Sequence, residues 1–202
     1  MSGSMDQRLM AWARAVKRRT RAPHPVLWLF TDLARGVDPL LAAARLPKGL
    51  CGVVFRHDAA PDRAALGQAL VKICRARRLQ LVVAGDIPLS LSLGAGVHLR
   101  AGIWPGAQAA GLRRRRFTTS SAHSVADMRR ARRAGADIIF LSPVFPTASH
   151  PGAPSLGPFR WSALAGRSPA IRILALGGVT GLTARALPRM CEGAGAIGAL
   201  RR

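Results

Sequence analysis

The residues able to do chemistry fall into a few short stretches of this 202-residue chain. One is the Ser142–His150 loop, where Thr147, Ser149 and His150 stand among Pro143, Pro146 and Pro151. Proline fixes φ and lowers the entropy lost on ordering, so these prolines suit a loop that must hold hydroxyls and an imidazole in place. Hydroxyls beside a cationic side chain suit an anion such as phosphate. A second stretch is Gly177-Gly178 in A-L-G-G-V, where the missing Cβ lets backbone N–H groups come close to a phosphate. Gly198 with Ala199, Ser121 with His123 in T-T-S-S-A-H-S, and Arg56 in V-V-F-R complete the set.

Each stretch follows a short apolar run, and those runs alternate with helical patterns. Strands are expected at Val26–Phe30, Cys51–Phe55, Leu79–Ala84, Gly96–Leu99, Phe117–Ser120, Ile138–Leu141, Ile171–Ala175 and Ala194–Ala199. Helices are expected at Val37–Leu46, Pro61–Arg75, Pro88–Leu93, Ala107–Leu112, from Ser124 onward, Arg160–Ala165 and Gly181–Cys191, the last bent at Pro188. Ahead of them Ser4 and Gln7 form a capping-box pattern, and Leu9, Trp12, Ala13 and Val16 follow at helical spacing. Eight strands alternating with helices predict an α/β fold, a (β/α)8 TIM barrel lacking its last helix. The extra N-terminal helix (residues 1–22) is expected to pack over that gap, against the first and eighth strands. No linker-like stretch divides residues 1–202, so one domain is expected.

In such a barrel, chemistry sits at the carboxyl ends of the strands, and the loops after strands seven and eight commonly hold phosphate. Every stretch named above maps to those ends. Composition sets the surroundings. Hydrophobic residues make up 49% of the chain, enough for a real core. The net charge of +22 comes almost wholly from arginine, since only Lys17, Lys48 and Lys72 are lysine. Such a field attracts anions in general, but no nucleic-acid recognition module accompanies it. Cys51, Cys74 and Cys191 lie far apart in apolar segments, which predicts buried free thiols and a reducing, cytoplasmic setting. No apolar run reaches membrane length.

Several motifs resemble those of the thiamine phosphate synthase/thiazole tautomerase (TenI-like) family. S-P-V-F-P-T-A-S-H is similar to the family's G-P-V-F-x-T-x-T-K, T-T-S-S-A-H-S to G-x-S-x-H-S, and L-A-L-G-G-V to A-I-G-G-I. G-V-H-L at 96–99 matches as it stands, and V-V-F-R resembles V-Q-L-R, with Val54 in place of Gln. The synthase branch holds Mg2+ through Asp, but Gly85 stands here in its N-D-R motif and no carboxylate follows G-V-H-L. Asp58 and His150 stand where that branch carries lysines. The tautomerase branch has N-G-R, which Gly85 fits, and it aromatises a thiazole phosphate by moving a proton.

The resemblance therefore implies tautomerase-like proton transfer, with thiamine-phosphate synthase and a non-catalytic phosphate-binding homologue as alternatives. It assigns general acid–base work to His123, with Ser121 and Arg56 beside it; an imidazole suits such proton movement. The competing reading is that His123 merely caps the helix beginning at Ser124. The phosphate would lie on Gly177, Gly178, Gly198 and Ala199, helped by Thr147, Ser149 and His150. His98 reads as a core residue. No metal ligands and no cofactor are expected, Mg2+ entering only on the synthase reading. The expected partner is a small-molecule thiazole phosphate or related anion, with no specific nucleic acid and no membrane; a homo-oligomer is left open.

Overall fold

The computed structural model describes residues 6–32, 38–103, 116–148, 152, 154–168 and 170–200. Eight parallel strands close into a barrel in chain order: β1 (Leu27–Phe30), β2 (Cys51–Phe55), β3 (Gln80–Ala84), β4 (Gly96–Leu99), β5 (Thr118–Ala122), β6 (Ile138–Leu141), β7 (Arg172–Ala175) and β8 (Ala194–Ala196). The last pairs with the first, Leu27 opposite Ala194. Helices α1 (Gln7–Thr20), α2 (Pro39–Arg45), α3 (Arg63–Ala76), α4 (Ile87–Leu93), α5 (Val125–Arg133) and α6 (Gly157–Ala165) accompany them. No helix among the described residues is long and apolar enough to cross a membrane.

Strand alternation splits the core in two. Leu27, Leu29, Val53, Phe55, Ile139 and Leu141 face the helices in one large cluster, which also takes in Trp161 and Met128. Trp28, Phe30, Val54, Val82, Phe140 and Leu174 point into the barrel. The interior is filled by rings set against glycines. Gly52 lies so close beneath Trp28 that an added Cβ would sit 2.5 Å from the indole, and Gly195 lies beneath Phe30 in the same way. At the amino-terminal end of the barrel Trp28 stacks on Phe117, with 6.0 Å between centroids, and His24 closes over Phe117 at 4.8 Å. Arg172 also lies at that end, with Nε on Glu192 at 2.8 Å and two buried nitrogens lacking partners among the described residues. Burial and this guanidinium hold both His24 and Lys17 below their usual pKa.

The expected architecture is observed, with several local corrections. Asp6, not Ser4, caps α1, accepting from the Arg8 and Leu9 N–H groups at 3.1 Å. A carboxylate directly before the helix satisfies two otherwise unpaired amides. The Asp6 carboxylate also accepts from Gly181 N–H at 2.6 Å, and the Asp6 N–H reaches the Ala199 carbonyl at 3.5 Å, so α1 lies against the chain beyond β7 and β8. Gly181–Cys191 is not a helix but holds a single 3₁₀ turn, Thr183–Ala186. Pro188 forces Leu187 out of helical geometry, and Thr180 and Thr183 exchange hydrogen bonds that compete with a helical ladder. β8 stops at Ala196, which leaves Gly198 and Ala199 in a turn. The Ala107–Leu112 helix lies outside the described residues. Cys51, Cys74 and Cys191 are free and buried, and burial pushes their thiols up to about 12, 12 and 11.

Because the Trp28 ring is fully buried and cannot retreat, Gly52→Ala is expected to destabilise the fold by about 1–3 kcal/mol, as overpacked cores do. Urea unfolding should show a lowered midpoint with an unchanged slope.

Candidate active site at the barrel mouth

The carboxyl ends of the strands bring most of the anticipated residues to one mouth. Arg56 follows β2; its Nε donates to the Thr31 carbonyl at 2.9 Å and its guanidinium lies 3.5 Å from Asp32. The same guanidinium rests 5.6 Å above the Phe30 ring centroid, so its underside is part of the barrel's interior packing. His98 lies one layer below. It contacts Thr119 Oγ1 at 2.8 Å and meets Phe30 edge-on at 5.5 Å. Burial, aided by Arg56, pushes its imidazole down to about 3, so it is a neutral core residue. His57, turned away onto Thr31 Oγ1 and Phe55, is likewise buried and lowered.

At the end of β5, the Ser121 hydroxyl accepts from the Ala101 N–H at 3.3 Å. His123 stands two residues on. Ser124 caps α5, accepting from Asp127 N–H at 3.1 Å, and Asp127 reaches back to accept the His123 N–H at 2.9 Å. The backbone of His123 thus serves the cap, and its ring does not. That ring is exposed, with Nδ1 held 3.2 Å from the Ser142 carbonyl. The Ser142 hydroxyl lies 3.3 Å from the same nitrogen; with the carbonyl as acceptor the proton is on Nδ1 and Nε2 is the nitrogen left to accept one.

The Ser142–Thr147 loop packs onto Gly177-Gly178. Val144 and Phe145 donate to the Leu176 and Gly177 carbonyls at 2.9 and 3.1 Å. Both glycines have positive φ, +92° and +65°, and a Cβ on Gly177 would lie 2.8 Å from Pro143. Only glycine meets both demands. Among the described residues neither glycine N–H has an acceptor, while both carbonyls are taken. Thr147 is half-buried in the same loop. Ser149 and His150 lie outside the described residues.

The corner above β2 to β4 holds an ion cluster that sequence reasoning missed. Arg63, the first residue of α3, lies 2.6 Å from Asp86 and 3.1 Å from Asp58, and it donates to the Ala84 carbonyl. Arg100 pairs with Asp58 from the other side, beside Gly85. The sequence carried one signal for Arg63. A cation in the first turn of a helix opposes the helix dipole and calls for a carboxylate nearby.

With this geometry in view, comparison with known proteins is direct. A family model described as thiamine monophosphate synthase (TMP-TENI) matches residues 33–198. The chain belongs to that family. A thiamine-phosphate synthase of Geobacillus kaustophilus is 33% identical over 132 residues, 61% of this chain and 57% of that protein. A putative thiamine-phosphate synthase 2 of Aquifex aeolicus is 29% identical over 161 residues, 77% of this chain and 86% of that protein. This chain spans a little over half the length of the Geobacillus relatives it matches. In fold it resembles the thiamine phosphate pyrophosphorylase of Pyrococcus furiosus, with a TM-score of 0.69 at 23% identity over 85% of this chain and 84% of that one.

The donors in the β2–β4 corner do not fit the Mg2+ of the synthase branch. Mg2+ demands several oxygens in near-octahedral array. Here the Asp58 carboxylate is committed to Arg63 and Arg100, and Asp86 to Arg63 and the Leu89 N–H. Among the described residues, no three His, Cys, Asp or Glu gather as metal ligands.

His98, His57 and His24 all have lowered pKa, so the unfolded chain binds protons there that the folded chain does not. The stability they contribute is complete above pH 6.5 and is lost as pH falls toward His98's value near 3. The wild type should therefore lose stability more steeply than His98→Gln between pH 6 and pH 4, by up to about 1.4 kcal/mol per pH unit. Urea unfolding at stepped pH measures the difference.

Proposed function

We propose that the mouth binds a thiazole phosphate and that His123 moves a proton on it, a tautomerase-like isomerisation. The observation that carries this reading is the His123 ring: exposed, freed from capping by Ser124 and Asp127, and held through Nδ1 by the Ser142 carbonyl. Nε2 takes a proton from a ring carbon, and the C–H electron pair moves into the ring as it becomes aromatic. Nε2 returns the proton at a second carbon, so no oxidant is needed. The phosphate lies against the Gly177 and Gly178 N–H groups, with Thr147 and the Gly198–Ala199 turn nearby. Backbone N–H groups suit an anion at low cost because they are fixed before it arrives. Arg56 presents a cation at the end of β2 for a carboxylate on the same ligand.

A second reading, thiamine-phosphate synthase, is favoured by the names of the relatives. The two separate in one experiment. Given the non-aromatic thiazole carboxylate phosphate, the wild type should aromatise it, seen as a rise in ultraviolet absorbance. His123→Ala should be slower by about 10²–10⁴-fold. Equal turnover by the two proteins ends the role given to His123. Formation of thiamine phosphate from hydroxymethylpyrimidine pyrophosphate and thiazole phosphate, dependent on Mg2+, would favour the synthase instead.

A further inference from the structure

The mouth is not the only place where cations converge. On the barrel's outer flank, between α5 and the turn after α6, Arg129, Arg132 and Arg167 surround a cleft of about 230 Å³ with Ser168, floored by Val125 and Met128. Arg129 and Arg132 are one turn apart on α5, so their guanidiniums share a face, and Arg167 approaches from the opposite wall. Three like charges around one hollow repel one another unless something negative lies between them.

Among the described residues, none of the three arginines has an ionic partner. The nearest carboxylate along the helix, Asp127, is buried and spends its oxygens on Arg130 and the His123 N–H. Asp32, Asp58 and Asp86 are held at the mouth, and Glu192 pairs with Arg172 at the barrel's amino-terminal end.

We propose that this cleft is a second anion site, built for a small di- or triphosphate. Guanidiniums fork onto phosphate oxygens in pairs, and three of them match a ligand with several charged oxygens better than a monoanion. The volume falls below the range usual for drug-sized ligands, and the cleft is a hollow rather than a stripe along which a strand could lie. The site is distinct from the mouth: it runs along the outer side of α5 from Val125 to Arg132 and is closed by Arg167 and Ser168 in the turn leading into β7, and it shares no lining residue with the strand ends described above. It stands independently of the function proposed above.

The test is calorimetric titration of the full chain with inorganic pyrophosphate at physiological salt. Arg129→Gln, Arg132→Gln and Arg167→Gln should each weaken binding tenfold or more, and the triple variant should lose it. Arg133→Gln, which removes an equal charge from the same helix outside the cleft, should change affinity less than twofold. All of these variants should keep the far-ultraviolet circular dichroism of the wild type and its rate of thiazole aromatisation, whatever that rate is. Pyrophosphate binding by the triple variant with wild-type affinity would overturn the proposal. So would equal weakening by Arg133→Gln, which marks a diffuse charge effect. Tighter binding of a single-stranded oligonucleotide than of pyrophosphate, with a salt slope that grows with strand length, would also overturn it.

Discussion

Closing eight parallel strands on themselves turns every second side chain into a bore whose width the strands have already set. This chain fills it with large rings and makes room for them with glycines: Trp28 over Gly52, Phe30 over Gly195, and Phe140 edge-on to both rings. The upper ring layer is also the floor of the candidate site. Phe30 supports the Arg56 guanidinium from below, and Phe30 with Phe140 encloses His98. Core and site are therefore one packing problem. A side chain that loosens the Phe30 layer would be felt first by the cation standing on it.

Charge is organised just as unevenly. The chain carries +22 overall, yet the mouth above β1 to β4 holds three guanidiniums, of Arg56, Arg63 and Arg100, against three carboxylates, of Asp32, Asp58 and Asp86. The pairing is local because the mouth is partly enclosed, where an unpaired charge costs most. Among the described residues, many of the other cations are exposed on helices, as Arg8, Arg14 and Arg18 are on α1, where water and salt screen them. An anion nearing the mouth meets a long-range attraction from the whole surface, then a short-range set of fixed N–H groups and one imidazole.

The strands were the most legible part of the sequence. A strand buried on both faces must be apolar without a break, and I-I-F-L or V-V-F carries that demand openly. The mouth positions followed, since a barrel's loops take their place from the strand ends. Helix limits were less legible, because competing local bonds decide them: Asp6 takes the α1 cap from Ser4, and Pro188 with the Thr180–Thr183 pair leaves only a 3₁₀ turn where Gly181–Cys191 read as a helix bent at Pro188. Arg63 was the largest omission. Its partners are 5 and 23 residues away in the chain, and only the closed barrel brings Asp58 and Asp86 onto either side of it. For His98 the environment decided, since burial between two rings withdraws an imidazole that composition alone would leave available for proton transfer.

The stack of Trp28, Phe117 and His24 acts as a stopper at the foot of the barrel. Whatever enters through the upper opening must go out by the same door, past the same cations that drew it in. For the reaction proposed above, a departing molecule would have to clear the vestibule before its successor could be admitted, so a tightly held product would slow the whole cycle.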